Sequence, residues 1–402
     1  MGLELKLRLV VSVLARGPLS DDVSVFCARI AHCDGWGPVV RGEHAVPNPK
    51  MLAGGRMNGV SSDRVRGLAQ TTVDPALGRE IDIAAERCFA PVRVVVSGRT
   101  GVGKSSVRAA LSVRGDNDTG VVGPDLILTE AASIDVPRAP DPDLDGDVVV
   151  HVLAGGLHQA DIDAIASADR RDDTTVVVIL TKADTIEDPG GVAELMSERL
   201  GTRVLPLMST IATNVAHGRP PSFDSLRPVA HAVTADMLLT PERFLAADIA
   251  ISRRERSELL EYIELFGVAI VAAALKDNPA ADDAILRALL ARTSGIDDAA
   301  RAVGSAVDGV RVDRQGRLLR RLAELSAHDP AGDAAIEQYL TTDEAVVAVM
   351  RAALRACGEP EVDSPTYLAA QQWHDRFRSA RDPGQARAAL AIARGYTRIA
   401  AR

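Results

Sequence analysis

The chain has 402 residues, of which 47% are apolar and 3% aromatic, with a formal net charge of −9. That length accommodates two or three cores, the apolar content excludes a wholly disordered chain, and the charge argues against a nucleic-acid binder working by bulk attraction to phosphates. The four cysteines, Cys27, Cys33, Cys88 and Cys357, show no CxxC spacing, and the longest apolar run, Phe266 to Leu275, has ten residues, half of a bilayer crossing. The reading is a cytoplasmic protein, with a peripheral position at the inner face of the plasma membrane as the alternative.

Residues 1–73 form a poorly defined N-terminal segment. Beyond an alternating run, LELKLRLVVSVLA, they carry Gly-Trp-Gly-Pro, PNPK and a Gly54-Gly55 pair, all punctuation rather than periodicity. Two readings stay open: a disordered segment, or an extension ahead of a start at Met51 or Met57.

Residues 74–235 alternate short Val/Leu/Ile runs with helical patterns. Strands are expected at 91–98, 124–130, 146–155, 174–181 and 202–208, with helices after most of them. Continuous apolar strands separated by helices indicate a mostly parallel sheet covered on both faces, a doubly wound α/β domain. From 236 to 402 the period turns helical and stays so, which predicts an all-α helical bundle. TPERF at 240–244 starts it with a Thr cap and Pro at the first helical position, and DDAILRALLART stops at Ser294-Gly295.

Two motifs carry chemistry. Residues 97–106 read SGRTGVGKSS, so Gly98, Gly103, Lys104 and Ser105 satisfy G-x4-G-K-[ST] between a strand and a helix, the P-loop of a G domain. Gly98, Arg99, Thr100, Gly101, Val102, Gly103, Lys104, Ser105 and Ser106 would surround the nucleotide phosphates. Backbone N–H groups and the helix N-terminus supply the positive field, Lys104 reaches the β- and γ-phosphates, and the Ser105 hydroxyl is the Mg2+ ligand. The second motif, Thr181-Lys182-Ala183-Asp184, closes an apolar strand. A carboxylate there pairs with the N1–H and 2-amino edge of guanine but would be left unpaired by adenine, so Asp184 selects the base. The stem of Lys182 would lie along the base plane. Only five lysines stand against forty-one arginines in the chain, and two of the five fall in these motifs.

GRTGVGKSS, ILTKADT and a strand ending PLMST together resemble a translation-factor-class GTPase domain. Met208, Ser209 and Thr210 stand at its third base-contacting loop, of which only Ser209 is carried over. The run EIDIAAERCFAPVRVVVSGRTGVGKSSVRAAL is similar to the opening of bacterial dynamin-like proteins. ELLEYIELFGVAIVAAALKDN, LRALLARTSGIDDAARAV, GRLLRRLAEL and YLAAQQWHDRF resemble the helical half of their actinobacterial isoniazid-inducible branch. The resemblance covers about 75–402. It implies GTP or GDP with Mg2+ as cofactors, a stalk joined by a hinge near 236–256, and a bundle that docks on itself or on another dynamin-like protein.

The family's Asp-Thr-Pro-Gly is replaced here by Thr129-Glu130-Ala131-Ala132, and only about twenty residues separate Lys104 from the next strand. Thr119 is the one threonine placed for the first switch, Glu130 could reach the metal through water, and Asp135 lies farther along. Base and diphosphate recognition can survive these losses, whereas hydrolysis should be slow or absent. Three readings follow: a nucleotide-stabilised interaction protein with degenerate switches, an active membrane-associated dynamin-like GTPase, and an ATP-using P-loop enzyme in which TKAD is a coincidence. Arg311, Arg314, Arg317 and Arg321 share a helix side that could touch anionic lipid, a solvated face being the alternative. The eight histidines show no catalytic grouping along the sequence.

Overall fold

The computed structural model describes residues 59–72, 74–113, 125–136, 144–171, 173–217, 222–328, 334–362 and 365–401. Most of the N-terminal segment, and Thr119 with it, lies outside these. In chain order the elements are α1 (Ser62–Thr71), α2 (Pro75–Phe89), β1 (Val92–Gly98), α3 (Lys104–Val113), β2 (Leu126–Glu130), β3 (Val148–Ala154), α4 (Gln159–Asp169), β4 (Thr175–Thr181), α5 (Pro189–Leu200), β5 (Val204–Leu207), α6 (Ser209–His217) and α7 (Pro241–Ala246). The helices α8 (Arg253–Asp277), α9 (Asp283–Thr293), α10 (Ile296–His328), α11 (Ala334–Leu340), α12 (Asp343–Ala356), α13 (Tyr367–Ser379) and α14 (Pro383–Ala400) complete it.

All five expected strands form, and they build one parallel sheet in the order β2-β1-β3-β4-β5. Val94 lies opposite Val148, Val148 opposite Thr175, and Thr181 opposite Leu207. Such strands read as continuous Val/Leu/Ile runs because both faces are covered. On one face Leu153, Val178 and Leu180 pack with Ile165 of α4 and Met196 of α5. On the other, α3 lies against α6, with Val107, Ala110 and Leu111 fully buried. In this order the chain winds outward in both directions from the β1/β3 pair. The C-terminal ends of those two strands are therefore the switch point, the place where open α/β sheets bind ligands in a crevice.

The chain divides into two compact units, and the division differs from the one expected. The first comprises the described residues of 93–306, the second those of 59–92 and 307–401. The boundary expected at 236 and the hinge at 236–256 thus fall inside the first unit. The helical period says that a segment is helical but not which core accepts its apolar face, and here Leu259, Ile263, Val268 and Leu290 join Met208, Ile211 and Phe223 in one cluster. In the second unit Ile81 and Cys88 of α2 pack with Leu318 and Leu322 of α10 and Tyr339 of α11. Burial pushes the Cys88 thiol up to about 11, against the nearby Arg314 and Arg317, so it is an inert core residue. Arginines on that helix side are engaged within the unit: Arg314 donates to the Ala90 carbonyl, Arg321 pairs with Glu80 at 2.7 Å, and Arg311 pairs with Asp308 at 3.4 Å.

The corner after α9 shows how a helical segment fixes the sheet domain. The Met208 N–H donates to the Ser294 carbonyl at 2.9 Å, and Gly295 follows at φ +79. A Cβ there would stand 2.3 Å from the Pro206 carbonyl oxygen. Gly201 closes α5 at φ +67 with open space around it. Gly201→Ala is therefore expected to cost about 1 kcal/mol of stability, and Gly295→Ala about 3 kcal/mol, since strain and a backbone clash combine. Urea unfolding of the two variants, followed by circular dichroism, checks the ranking.

Candidate functional site

The loop 98–103 leaves the C-terminal end of β1 at the β1/β3 switch point and enters α3. Gly98 holds φ +146, and a Cβ on it would lie 2.5 Å from the Val152 carbonyl oxygen of β3. Gly101 and Gly103 also have positive φ, +73 and +95. The loop thus takes a fold closed to side chains at its first glycine, with α3 starting at Lys104 so that the helix N-terminus faces the crevice.

Beneath the loop runs a buried polar chain that the sequence did not reveal. Ser97 and His151 are register partners on β1 and β3, and Ser97 Oγ lies 3.0 Å from His151 Nδ1. His151 Nε2 lies 3.1 Å from Asp161 Oδ1 in α4. An ionised carboxylate only accepts, so Nε2–H donates to it, and Nδ1 is left to accept the Ser97 hydroxyl proton. Asp161 also accepts from Arg99 Nε at 2.9 Å and from the His158 N–H at 3.2 Å. Burial opposes ionisation of Asp161, but the His151, His158 and Arg99 hydrogen bonds outweigh it and hold the carboxyl below its usual range. The order Ser-His-Asp invites a nucleophilic reading, yet Ser97 and Asp161 are 0% exposed and His151 1%, beyond the reach of a substrate. The chain positions Arg99 instead, drawing its guanidinium back toward Asp161 and the Ala154 and Gly156 carbonyls, 3.4 Å away.

At the start of α3, Lys104 is buried and donates to the Gly98 and Arg99 carbonyls at 3.2 and 3.1 Å and to Ser133 Oγ at 2.7 Å. Ser105 Oγ donates to Glu130 Oε1 at 3.1 Å. Glu130, the last residue of β2, thus stands beside the serine expected to ligate the metal, with Arg108 3.8 Å away. Thr100 gives both its N–H and its hydroxyl to Asp135, at 2.8 and 2.9 Å. The Ser106 carbonyl accepts from Thr213 of α6 at 3.3 Å.

The opposite end of the crevice brings the second motif to the first. Thr181 is fully buried, its hydroxyl set between the Val102 and Leu153 carbonyls. Lys182 takes a left-handed conformation, φ 54, and its ammonium donates to the Gly101 carbonyl at 3.0 Å. The lysine therefore ties the TKAD loop to the P-loop. Asp184 sits in the short turn Ala183–Thr185 that follows, and Ser209 opens α6, nearly buried.

Glu264, unnoticed in the sequence, also reaches this end. It interrupts α8 at φ 56, ψ −179, a conformation costly for any residue but glycine. Asn214 of α6 steadies the break by donating to the Glu261 and Tyr262 carbonyls, both at 3.0 Å. Burial and the nearby Asp184 raise the Glu264 carboxyl, while a hydrogen bond with Thr210 opposes them.

No protein-family model matches this chain, and no curated protein is similar to it. Among the described residues no group of three or more His, Cys, Asp or Glu could hold a metal, so any cation here would depend on few protein oxygens, chiefly those of Ser105 and Glu130.

Replacing Asp161 tests the buried chain. Because its folded pKa is depressed, its stabilisation is fully present above the usual carboxylate value of about 4 and is lost as pH falls through the lower folded value. Asp161→Asn is expected to lose about 3 kcal/mol at pH 7, with the gap to the unaltered protein closing below pH ~4. Urea unfolding across a pH series measures both.

Proposed function

We propose that the chain is a guanine-nucleotide-binding protein with little or no turnover, whose bound nucleotide stabilises the first unit while helices of the second dock on a partner. The observation that carries this is the Lys182–Gly101 tie: a base-reading motif and a phosphate-cradling motif, 81 residues apart, meet through one hydrogen bond of 3.0 Å. A ligand spanning them needs a phosphate-bearing end and a base-like end. The partly buried Asp184 at the second end favours guanine, whose N1–H and 2-amino group it could pair.

Magnesium fits the residues present. Ser105 Oγ and Glu130 Oε1 are 3.1 Å apart, an oxygen pair suited to a hard cation that keeps most of its waters. Bound there, the ion would neutralise phosphate charge. Slow hydrolysis is supported by the strap after β2, where Ala131 and Ile134 commit their N–H groups to the Val96 and Gly98 carbonyls. The resemblance to bacterial dynamin-like proteins supports a partner from that family, or a second copy of this chain, on the helical half. An active membrane-associated GTPase is the second reading, favoured by the same Ser105–Glu130 contact. No helix among the described residues is long and apolar enough to cross a membrane, and that reading takes the membrane contact to be peripheral.

Equilibrium titration with fluorescent GDP, GTP and ATP analogues in magnesium tests the proposal, with phosphate release followed in the same samples. Guanine nucleotides should bind and ATP should not. Lys104→Ala should weaken guanine nucleotides at least about tenfold, Asp184→Ala should erase a base preference of about a hundredfold, and release should be negligible. Equal binding of ATP, or indifference to both substitutions, would refute nucleotide selectivity. Brisk release would instead favour the membrane GTPase.

A further inference from the structure

The P-loop already binds an anion supplied by its own chain. One carboxylate oxygen of Asp135 accepts the Thr100 N–H at 2.8 Å and the Thr100 hydroxyl at 2.9 Å. Two residues earlier, Ser133 Oγ accepts from Lys104 Nζ at 2.7 Å, the ammonium being a donor only. The strap 131–136 that carries both side chains is pinned by its backbone, Ala131 N–H to the Val96 carbonyl at 2.9 Å and Ile134 N–H to the Gly98 carbonyl at 3.3 Å. The Thr100 N–H holds the Asp135 carboxyl below its ordinary range, outweighing desolvation with help from the Thr100 hydroxyl and Arg99. Asp135 therefore carries its negative charge at neutral pH.

These ties fall at one end of the loop. The lysine of such a loop reaches the β- and γ-phosphates, while the backbone nearer the helix cradles the inner ones. A strap lying over Lys104 and Thr100 thus lies on the terminal-phosphate side, and its contacts are with Val96, Gly98, Thr100 and Lys104. Charge balance points the same way. Arg99, the other cation of the loop, spends its guanidinium hydrogen bonds on Asp161 and the Ala154 and Gly156 carbonyls, so a third phosphate would find Lys104 as its hydrogen-bonding cation, with Asp135 beside it.

We propose that the strap makes this a nucleoside diphosphate site, in which the Asp135 carboxylate occupies the place of the third phosphate and a triphosphate must displace it. This rests on the nucleotide-binding reading above and narrows it to GDP. A diphosphate leaves the Thr100–Asp135 contact in place. A triphosphate breaks it and sets like charges together, for an expected preference of about tenfold for the diphosphate.

Calorimetric titration of the full chain with GDP and with the non-hydrolysable β,γ-imido analogue of GTP, both with magnesium, decides it. The unaltered protein should favour GDP about tenfold, and the affinity ratio should approach one in Asp135→Asn, which keeps the size of the side chain but removes its charge. Asp135→Ser is the second variant and should shift the ratio in the same direction; thermal unfolding confirms that both are folded. A ratio near one in the unaltered protein, or an unchanged ratio in folded variants, overturns the inference while leaving the nucleotide reading intact. Failure of both nucleotides to bind overturns the two together.

Discussion

The register between β1 and β3 is the constraint on which the site depends. It sets Ser97 opposite His151 and Gly98 opposite Val152. The first pairing threads a hydrogen-bonded chain through an apolar sheet to Asp161 and Arg99. The second brings the loop's first glycine against a carbonyl that tolerates no Cβ. A slip of one residue would move Ser97 off the imidazole and leave a buried carboxylate short of donors, an expensive error in a low-dielectric interior. The apolar residues drive formation of the sheet, and the polar chain selects one alignment within it. The loop 98–103 inherits its geometry from that alignment.

Much of this was legible in the sequence. Parallel strands announce themselves as unbroken Val/Leu runs, and the glycine spacing of SGRTGVGKSS and the TKAD ending mark strand ends where the chain must turn sharply. What stayed hidden is long-range choice of partner. The helical period of 253–306 is plain, but nothing local says that Leu259, Ile263 and Leu290 join the core of Met208 and Phe223 rather than that of the later helices. In the other direction, α2 directly precedes β1 yet gives its apolar face to α10 and α11. Asp161 looks in sequence like an ordinary first-turn acid, and Glu264 lies in a helical run without the glycine that would advertise a positive φ. Glu130, which the sequence already set within reach of a metal, is the residue beside Ser105, while Thr129 stands at the letter that the resemblance pairs with an aspartate. Strand pleating sets which of two neighbours faces the loop, and a letter alignment does not contain it.

The two ends of the crevice are held by different means. At the Lys104 end the loop is fixed from below by the buried chain and from above by the strap, with Lys104 saturated by oxygens of its own chain. At the other end the Thr181–Asp184 motif leans on the loop through Lys182, while α6 and the interrupted α8 bring Thr210 and Glu264 toward Asp184. A nucleotide bridging these ends would link the sheet to helices 253–277, which supports a ligand that acts by stabilising the fold. Such stabilisation needs binding and does not need hydrolysis.

The most direct measurement is a crystal structure of the full chain grown with GDP and magnesium. The account predicts diphosphate density in the loop 98–105, the Asp184 carboxylate on the base edge, and the cation near Ser105 and Glu130. A crevice without nucleotide at saturating concentration, or a nucleotide bound away from Lys104 and Asp184, would contradict it.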